Sequence, residues 1–287
     1  MLLRQNMYPI LEKRRLNETT TLMRVLAPRV AKKAGPGQFI ILRIDENGER
    51  IPLTIAGYDR ESGSVTIIFQ KVGKTTIHLD ELNAGDSLLD FVGPLGRVSE
   101  YGDVKGKRVA VIGGGLGIAI AYPQAKALHE AGVDVNVIVG FRSTSLFILM
   151  DELKDACRNL YVMTDDGSNG HKGFVTTALE EQLQAGVHYD EVIAIGPLIM
   201  MKFVCKLTKE FGVKTIISMN PIMIDGTGMC GCCRLTVGGK MKFACVDGPD
   251  FDGHEVDFDE AMDRLTMYRP QEAERREAHC NLFKGVK

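Results

Sequence analysis

The hydrophobic pattern of the chain changes period near residue 103, and that change limits the fold more than any other feature. Beyond it, short apolar runs alternate with stretches of helical period: KRVAVIGG, GLGIAIAYPQAKALHEAG, DVNVIVGFR, SLFILMDELKDAC, NLYVMTDDG, TTALEEQLQAG, YDEVIAIGP, LIMMKFVCKLTKEFG and KTIISMN. A strand followed by a helix, repeated, predicts a doubly wound parallel sheet with helices on both faces, here over 102–219. Upstream, LMRVLAPRV, GQFIILRID, RIPLTIAGYD, SVTIIFQKV and SLLDFVG are β-branched or alternating runs separated by turn signals. Regularly spaced short strands predict an antiparallel β-barrel over 1–101, with HLDELNAG as its one helical stretch. From about Asn220 the pattern breaks into a Gly- and Cys-rich loop, a KMKFACV strand and a charged tail with a helix within DEAMDRLTMYRPQEAERREAHC. The expected fold class is therefore β plus α/β with a small third segment, 220–287.

Composition narrows the function. Lys+Arg 35 against Asp+Glu 37 gives a net charge of −2 over 287 residues, with no basic block. Phosphate backbones need a concentrated cationic face, so nucleic acid is not an expected partner. The longest uncharged run, Val109 to Ala125, holds four glycines and Pro123. It falls short of the ~20 apolar residues of a membrane span. No apolar leader precedes a small-residue cleavage site, so a cytoplasmic protein without membrane contact is expected. A chain of this size buries roughly three quarters of its unfolded surface and needs no disulfide staples.

Of seven cysteines, Cys157, Cys205 and Cys280 are scattered, whereas Cys230, Cys232, Cys233 and Cys245 fall close together. An odd count in an unexported chain points to metal or redox chemistry. The spacing Asp225-x4-Cys230-x2-Cys233-x11-Cys245 reproduces the plant-type [2Fe–2S] pattern with Asp in the first position. A carboxylate carries the same formal charge as a thiolate. Gly226, Gly228 and Gly231 let such a loop wrap and aim N–H groups at sulfur, with Cys232 a bystander. The alternatives are a zinc site from Cys230, Cys232 or Cys233, Cys245 and His254, or plain reduced thiols. Zinc sites usually come as two Cys/His pairs, and one pair is present.

Gly113-Gly114-Gly115-Leu116-Gly117 follows the VAVI strand and opens a helix, a place where backbone can approach a pyrophosphate at a helix N-terminus. A bare strand–helix turn is the alternative. Gly196-Pro197-Leu198-Ile199-Met200-Met201 is a second strand-end turn that would face the same crevice; a Pro turn before core methionines reads equally well. The second strand ends at Arg142-Ser143 with no acid for a ribose hydroxyl, a lean towards a 2′-phosphate and NADP. In the barrel, Arg50-Ile51-Pro52-Leu53-Thr54, Gly73-Lys74-Thr75-Thr76 and Gly93-Pro94-Leu95-Gly96 are each a turn or strand edge alone. Lys74 with its Gly and Thr neighbours could cradle a diphosphate, and the three together suggest a flavin seat.

With these motifs in order, the chain resembles the ferredoxin–NADP reductase superfamily, in its iron–sulfur branch. Electron-transfer subunits of dihydroorotate dehydrogenase share the order barrel, GGGxG module and C-terminal [2Fe–2S] loop. ERIPLTIA, VGKTT, GPLG, VIGGGLGIA, GPLIMM and SMNPIMIDGTGMCGCCR are similar still more closely to the small-subunit family of NADH-dependent reduced ferredoxin:NADP⁺ oxidoreductases. The dihydroorotate branch uses four cysteines where this chain has Asp225.

The resemblance implies FAD with its isoalloxazine near Pro52, Leu53 and Thr54 and diphosphate contacts from Gly73, Lys74, Thr75 and Thr76. It implies NAD(H) in the second unit, at Gly113, Gly114, Gly115, Leu116, Gly117, Arg142, Gly196, Pro197 and Met200, against the NADP lean. It implies a cluster on Asp225, Cys230, Cys233 and Cys245. One departure is visible: the superfamily's Arg-x-Tyr-Ser/Thr motif has Ile51 in place of its Arg, with Arg50 one position off. The implied partner is a larger subunit with its own flavin and [4Fe–4S] clusters, where electrons bifurcate, and through that complex ferredoxin. No catalytic triad is evident and none is required, because hydride transfer between nicotinamide and flavin needs placement to ~3–3.5 Å. Electron delivery to another dehydrogenase, or to a hydrogenase, is the competing enzyme reading. A zinc-stabilised nucleotide-binding module is the non-enzyme one.

Overall fold

The structure, a computed structural model, describes residues 7–102 and 106–274; Cys280 and the end of the expected tail helix lie outside them. Strands β1 (Tyr8–Arg15), β2 (Thr20–Leu26), β3 (Phe39–Arg43), β4 (Ile51–Asp59), β5 (Ser64–Gln70), β6 (Ser87–Leu88) and β7 (Asp90–Leu95) pair antiparallel in the order β6-β1-β2-β5-β4-β3-β7. The result is a nearly closed barrel around Ile10, Met23, Ile40, Ile67, Phe69 and Phe91. Three features depart from the expectation. β1 is an unforeseen strand, because Glu12 to Arg15 interrupt its alternation with a charged run and only Ile10 is buried. LMRVLAPRV is a strand only to Leu26; Pro28 then opens helix α1 (Pro28–Lys33) at the one helical position that needs no N–H. Helix α2 (Lys74–Glu81) takes in only His78–Glu81 of the expected helical stretch HLDELNAG and begins four residues before it; Leu82 is already extended.

The second sheet contains β8 (Arg108–Gly114), β9 (Asp134–Phe141), β10 (Asn159–Thr164), β11 (Glu191–Ile195) and β12 (Lys214–Ser218), parallel in the order β10-β9-β8-β11-β12. Its strands are apolar on both faces, as a sheet covered twice requires. Val109 and Val111 face a core completed by α3 (Ile118–Glu130) and α4 (Met150–Asp155). Ala110 and Ile112 face α5 (Val175–Gln184) and α6 (Leu198–Glu210). The helix expected over SLFILMDELKDAC shrinks to α4. Phe147 leaves the helical path to pack its ring, tilted by 45°, 4.6 Å from that of Phe141, and Leu149 adopts a left-handed φ of 55°.

The last segment adds a hairpin, β13 (Arg234–Val237) and β14 (Lys240–Phe243), a short α7 (Ala244–Asp247), strand β15 (Asp250–Asp252) and α8 (Phe258–Thr266). Gly238 and Gly239, both at positive φ, form the two-residue turn of that hairpin, as Gly-Gly between two short strands favours. β15 was not expected. It returns antiparallel to cover the free edge of β12.

Strand β3 explains how these parts meet. Its Ile40 and Leu42 point into the barrel, while Phe39 and Ile41 join a core with Met219, Met223, Cys233 and Cys245. On another side of the barrel, Leu22, Ala56 and Ile68 pack into the α3 core.

Candidate functional site

Strand order reverses at β8, with β9 and β10 to one side and β11 and β12 to the other, so the turns after β8 and β11 lie together at the carboxyl ends. They touch closely. A Cβ at Gly117 would lie 2.4 Å from the Ile195 carbonyl oxygen, and one at Gly196 would lie 3.2 Å from the Gly114 backbone. At Gly114 it would meet Met200 Sδ at 2.4 Å and Pro197 Cδ at 3.3 Å, and at Gly113 it would meet Ile118 at 2.8 Å. These glycines are required by protein packing. Gly115 differs: at φ +55° it is exposed, with nothing within 4 Å of its Cβ position. Leu116 packs half-buried against the α3 core.

Arg142 is exposed at the end of β9, and its carbonyl accepts the Asp166 N–H at 3.2 Å. Thr144 N–H donates to Ser168 Oγ at 2.9 Å. The Ser168 hydroxyl and N–H hold the Asp166 carboxyl below the usual range. An acid therefore does stand beside the β9 end. It comes from the loop after β10, a neighbour that register places there and that the β9 sequence alone does not contain.

In the barrel, Pro52, Leu53 and Thr54 on β4 pair with Ile41, Ile40 and Phe39 and are all half-buried. Gly73 to Thr76 form the first turn of α2. The Thr76 hydroxyl accepts the N–H groups of Val72 and Gly73 and donates to the Gly73 carbonyl, so it is committed to its own helix end. Thr75 Oγ1 donates to Glu49 at 2.7 Å. Gly73, with no atom near its Cβ position, and the exposed Lys74 are the open members. Arg50 is elsewhere: its Nε donates to the Ile224 carbonyl at 3.0 Å, tying the barrel to the cysteine loop.

The loop from Asp225 to Cys245 starts beyond the carboxyl end of β12 and lies on β3 and the GPLG turn. A Cβ at Gly226 would meet Leu95 at 2.7 Å and Ile41 at 3.0 Å. Asp225 Oδ2 accepts from Thr227 Oγ1 (2.5 Å), Thr227 N–H (2.9 Å) and Met229 N–H (3.2 Å), and these bonds hold the carboxyl ionised below its ordinary range. The Cys230 thiol sits over the N–H groups of Cys232, Asp225 and Ile224, and chiefly the first pulls its pKa down. Burial, with the Cys233 thiol beside it, pushes Cys245 up to about 12. Cys230 is exposed and Cys233 and Cys245 are buried. His254 Nε2 lies 3.0 Å from Thr208 Oγ1, bonded away from the cysteines. Among the described residues no three His, Cys, Asp or Glu side chains gather around one point as holders of a single ion.

Residues 220–257 match the family described as the iron–sulfur cluster binding domain of dihydroorotate dehydrogenase B. A Thermotoga maritima homolog of the dihydroorotate dehydrogenase B (NAD(+)) electron transfer subunit is 49% identical over 86% of this chain and 86% of its own length. The chain belongs to that electron-transfer-subunit family. A Clostridium beijerinckii protein encoded in the adh 3′ region is 54% identical over 93% of this chain and 92% of its own. Among solved structures, a chain of the NADH-dependent reduced ferredoxin–NADP oxidoreductase, described in terms of flavin-based electron bifurcation, superposes with a TM-score of 0.88. It is 45% identical over 96% of this chain and 98% of that one.

The family resemblance drawn from the motifs and the fold class are thus borne out. The chain is an oxidoreductase of the ferredoxin reductase-like, flavin and iron–sulfur type. The expected FAD, NAD(H) and [2Fe–2S] complement agrees with this membership. No helix among the described residues is long and apolar enough to cross a membrane.

Proposed function

We propose that the chain exchanges hydride with NAD(H) at an FAD held on the barrel and exchanges single electrons through a [2Fe–2S] cluster with a larger partner subunit. In this reading residues 1–101 hold FAD, 102–219 hold NAD(H) and 220–287 carry the cluster and tail. FAD contacts come from Pro52, Leu53, Thr54, Gly73, Lys74 and Thr75, with Thr76 shaping the helix end. The nucleotide meets the Gly113–Gly117 turn at its open member, Gly115, beside Gly196, Pro197 and Met200. Cluster ligands are Asp225, Cys230, Cys233 and Cys245. The thiols lie in two pairs, Cys233 with Cys245 and Cys230 with Cys232, rather than around one point, an arrangement that suits two irons better than one. Bound flavin would supply the conversion between two-electron and one-electron chemistry. The protein supplies placement, ionised ligands and N–H groups directed at sulfur.

The observation that carries this reading is the seam at β3. One strand has its inner face in the barrel and its outer face against the cysteine loop, and that loop starts from the crevice end of the second sheet. Three units that would hold the three redox groups converge there. The reading extends to a complex of the bifurcating, ferredoxin-linked kind, supported by the similarity to the NADH-dependent reduced ferredoxin–NADP oxidoreductase chain.

An anaerobic titration of the purified chain tests it. NADH should bleach flavin bands and then cluster absorption, with a higher kcat/KM than NADPH. A chain that binds flavin yet shows no cluster absorption or EPR signal after iron–sulfur reconstitution would defeat the cluster assignment. A preference for NADPH that Arg142→Ala abolishes would return the nucleotide assignment to NADP. The partner is tested by co-purification, where a flavin and [4Fe–4S] subunit is expected and a dihydroorotate dehydrogenase catalytic subunit would select the competing reading.

A further inference from the structure

Four guanidinium groups from four separate elements each donate to a main-chain carbonyl of the cysteine loop or its flanks. Arg50, from the entrance of β4, bonds the Ile224 carbonyl at 3.0 Å, one residue before Asp225. Arg234, at the start of β13, bonds Gly231 at 3.3 Å, and Arg264, from α8, bonds Cys232 at 3.1 Å. Arg97, from the strand exit after β7, bonds Val246 at 3.1 Å, one residue after Cys245. Each proposed ligand is therefore within two residues of an arginine-held carbonyl.

These cations keep most of their charge. Among the described residues Arg97, Arg234 and Arg264 have no ion pair, and Arg50 stands 3.8 Å from an Asp90 carboxylate that already binds Arg43 at 2.7 Å. The loop's own acids are tied to main-chain N–H groups: Asp225 to Thr227 and Met229, and Asp247 to Phe243. A chain with a net charge of −2 thus gathers four cations around one loop.

We propose that Arg50, Arg97, Arg234 and Arg264 form a cationic cage that raises the reduction potential of the cluster. The inference rests on the ligand set given above. A two-iron cluster held by three thiolates and one carboxylate is a dianion when oxidised and a trianion when reduced, so each added electron is favoured by nearby positive charge. Reduction adds one electron from the flavin and moves no proton in this step. The carbonyl bonds fix each guanidinium at a set distance from the loop, which turns a surface charge into a fixed field.

The test is an EPR-monitored redox titration of the holoprotein and its single Arg→Gln variants, with iron and acid-labile sulfide measured alongside. Gln keeps a donor for the carbonyl and removes the charge. Each variant should retain its cluster and shift the equilibrium roughly threefold to tenfold towards the oxidised state, or about 30–59 mV more negative at 59 mV per decade for one electron. Arg→Lys at the same positions should recover most of the shift. Gln variants with full cluster content and the wild-type midpoint would overturn the cage, as would Lys variants shifted as far as Gln. If a Gln variant loses its cluster, wild type decides: its midpoint should fall as ionic strength rises and the cations are screened, and a midpoint that stays level or rises with salt overturns the proposal. A wild-type protein without a two-iron signal overturns the ligand reading itself, whereas a normal wild-type signal with unshifted variants overturns the cage alone.

Discussion

The turn at Gly113–Gly117 and the loop at Gly226–Gly231 are both glycine-rich, yet they use glycine differently. In the turn, Gly113, Gly114 and Gly117 have ordinary backbone angles and lack only the room for a side chain, because two strand-end turns press on each other. In the loop, Gly226, Gly228 and Gly231 sit at φ of 82°, 86° and 69°, where other residues are strained. The turn is set by the regular elements beneath it. The loop has no ladder of its own and is held by Asx bonds, N–H groups and four arginines. A crowded turn tolerates no added volume, whereas the wrapped loop tolerates no changed dihedral or lost ligand, and has room for volume at Gly231 but not at Gly226, which packs on Leu95 and Ile41.

The largest expected effect lies on the loop. Cys233→Ala should abolish the cluster signal while flavin binding and NADH oxidation persist, because neither uses that thiol. Asp225→Ala should likewise lose or destabilise the cluster, whereas Asp225→Cys should retain one with a shifted potential. Cys232→Ser should leave the reduced-state EPR signal unchanged. Loss of signal in Cys232→Ser with a normal Asp225→Ala spectrum would reassign the ligands.

Next comes the turn. Gly117→Ala forces a methyl to within 2.4 Å of a backbone oxygen that has nowhere to go. A cost of about 3 kcal/mol is expected, the upper part of the overpacking range. That corresponds to a Tm lower by about 6–12 °C for a chain of this size. Gly114→Ala should cost less, about 1 kcal/mol, because the clashing atom is the flexible end of Met200. Thermal melts of the two variants check the contrast, and equal losses would mean that Met200 is as rigid as backbone.

Legibility in the sequence follows the same division. The second sheet was readable because its central strands β8, β9 and β11 are buried on both faces and each long helix shows its period. The cysteine loop was readable through spacing alone. What escaped depended on partners distant in sequence. β1 is a charged run that becomes a strand only because β2 supplies its ladder, and β15 is three residues long with no pattern to detect. A Gly-Lys-Thr-Thr string does not reveal that the Thr76 hydroxyl is bonded to its own helix end, which leaves its main chain for the diphosphate contact the resemblance implies. Arg50, one position off the flavin motif, had no role legible in the sequence because nothing there shows the Ile224 carbonyl that it bonds.

A smaller effect separates conformational from steric need. Gly231→Ala has space, with only Phe243 at 3.7 Å, but places an L-residue at φ +69°. A cost of about 1–2 kcal/mol is expected from the left-handed backbone alone. Gly231→Asn, a residue better suited to that region, should recover part of it. Equal losses for Ala and Asn would show that volume matters here too.

The smallest effect concerns the seam between the two regions. Asp250 on β15 accepts a hydrogen bond from Ser99, which follows the barrel, and another from Ser218 at the end of β12. Its Oδ1 is buried without a partner among the described residues, and burial raises its pKa above 3.8. The other titratable groups that feel it are Tyr101, itself raised by burial, and Glu191. The sign follows from which state holds the proton. Below about pH 4 both states hold the proton and the contribution of Asp250 is fully present; above it the unfolded chain releases the proton while the fold retains it, so that contribution declines until the pH passes the raised folded value. Asp250→Asn keeps the shape, accepts from the same serines and cannot ionise. Its Tm relative to wild type should therefore rise between pH 5 and pH 8, by a few degrees at most. A difference that stays constant across that range would mean that the Asp250 carboxyl is already ionised in the fold and that the seam tolerates its charge.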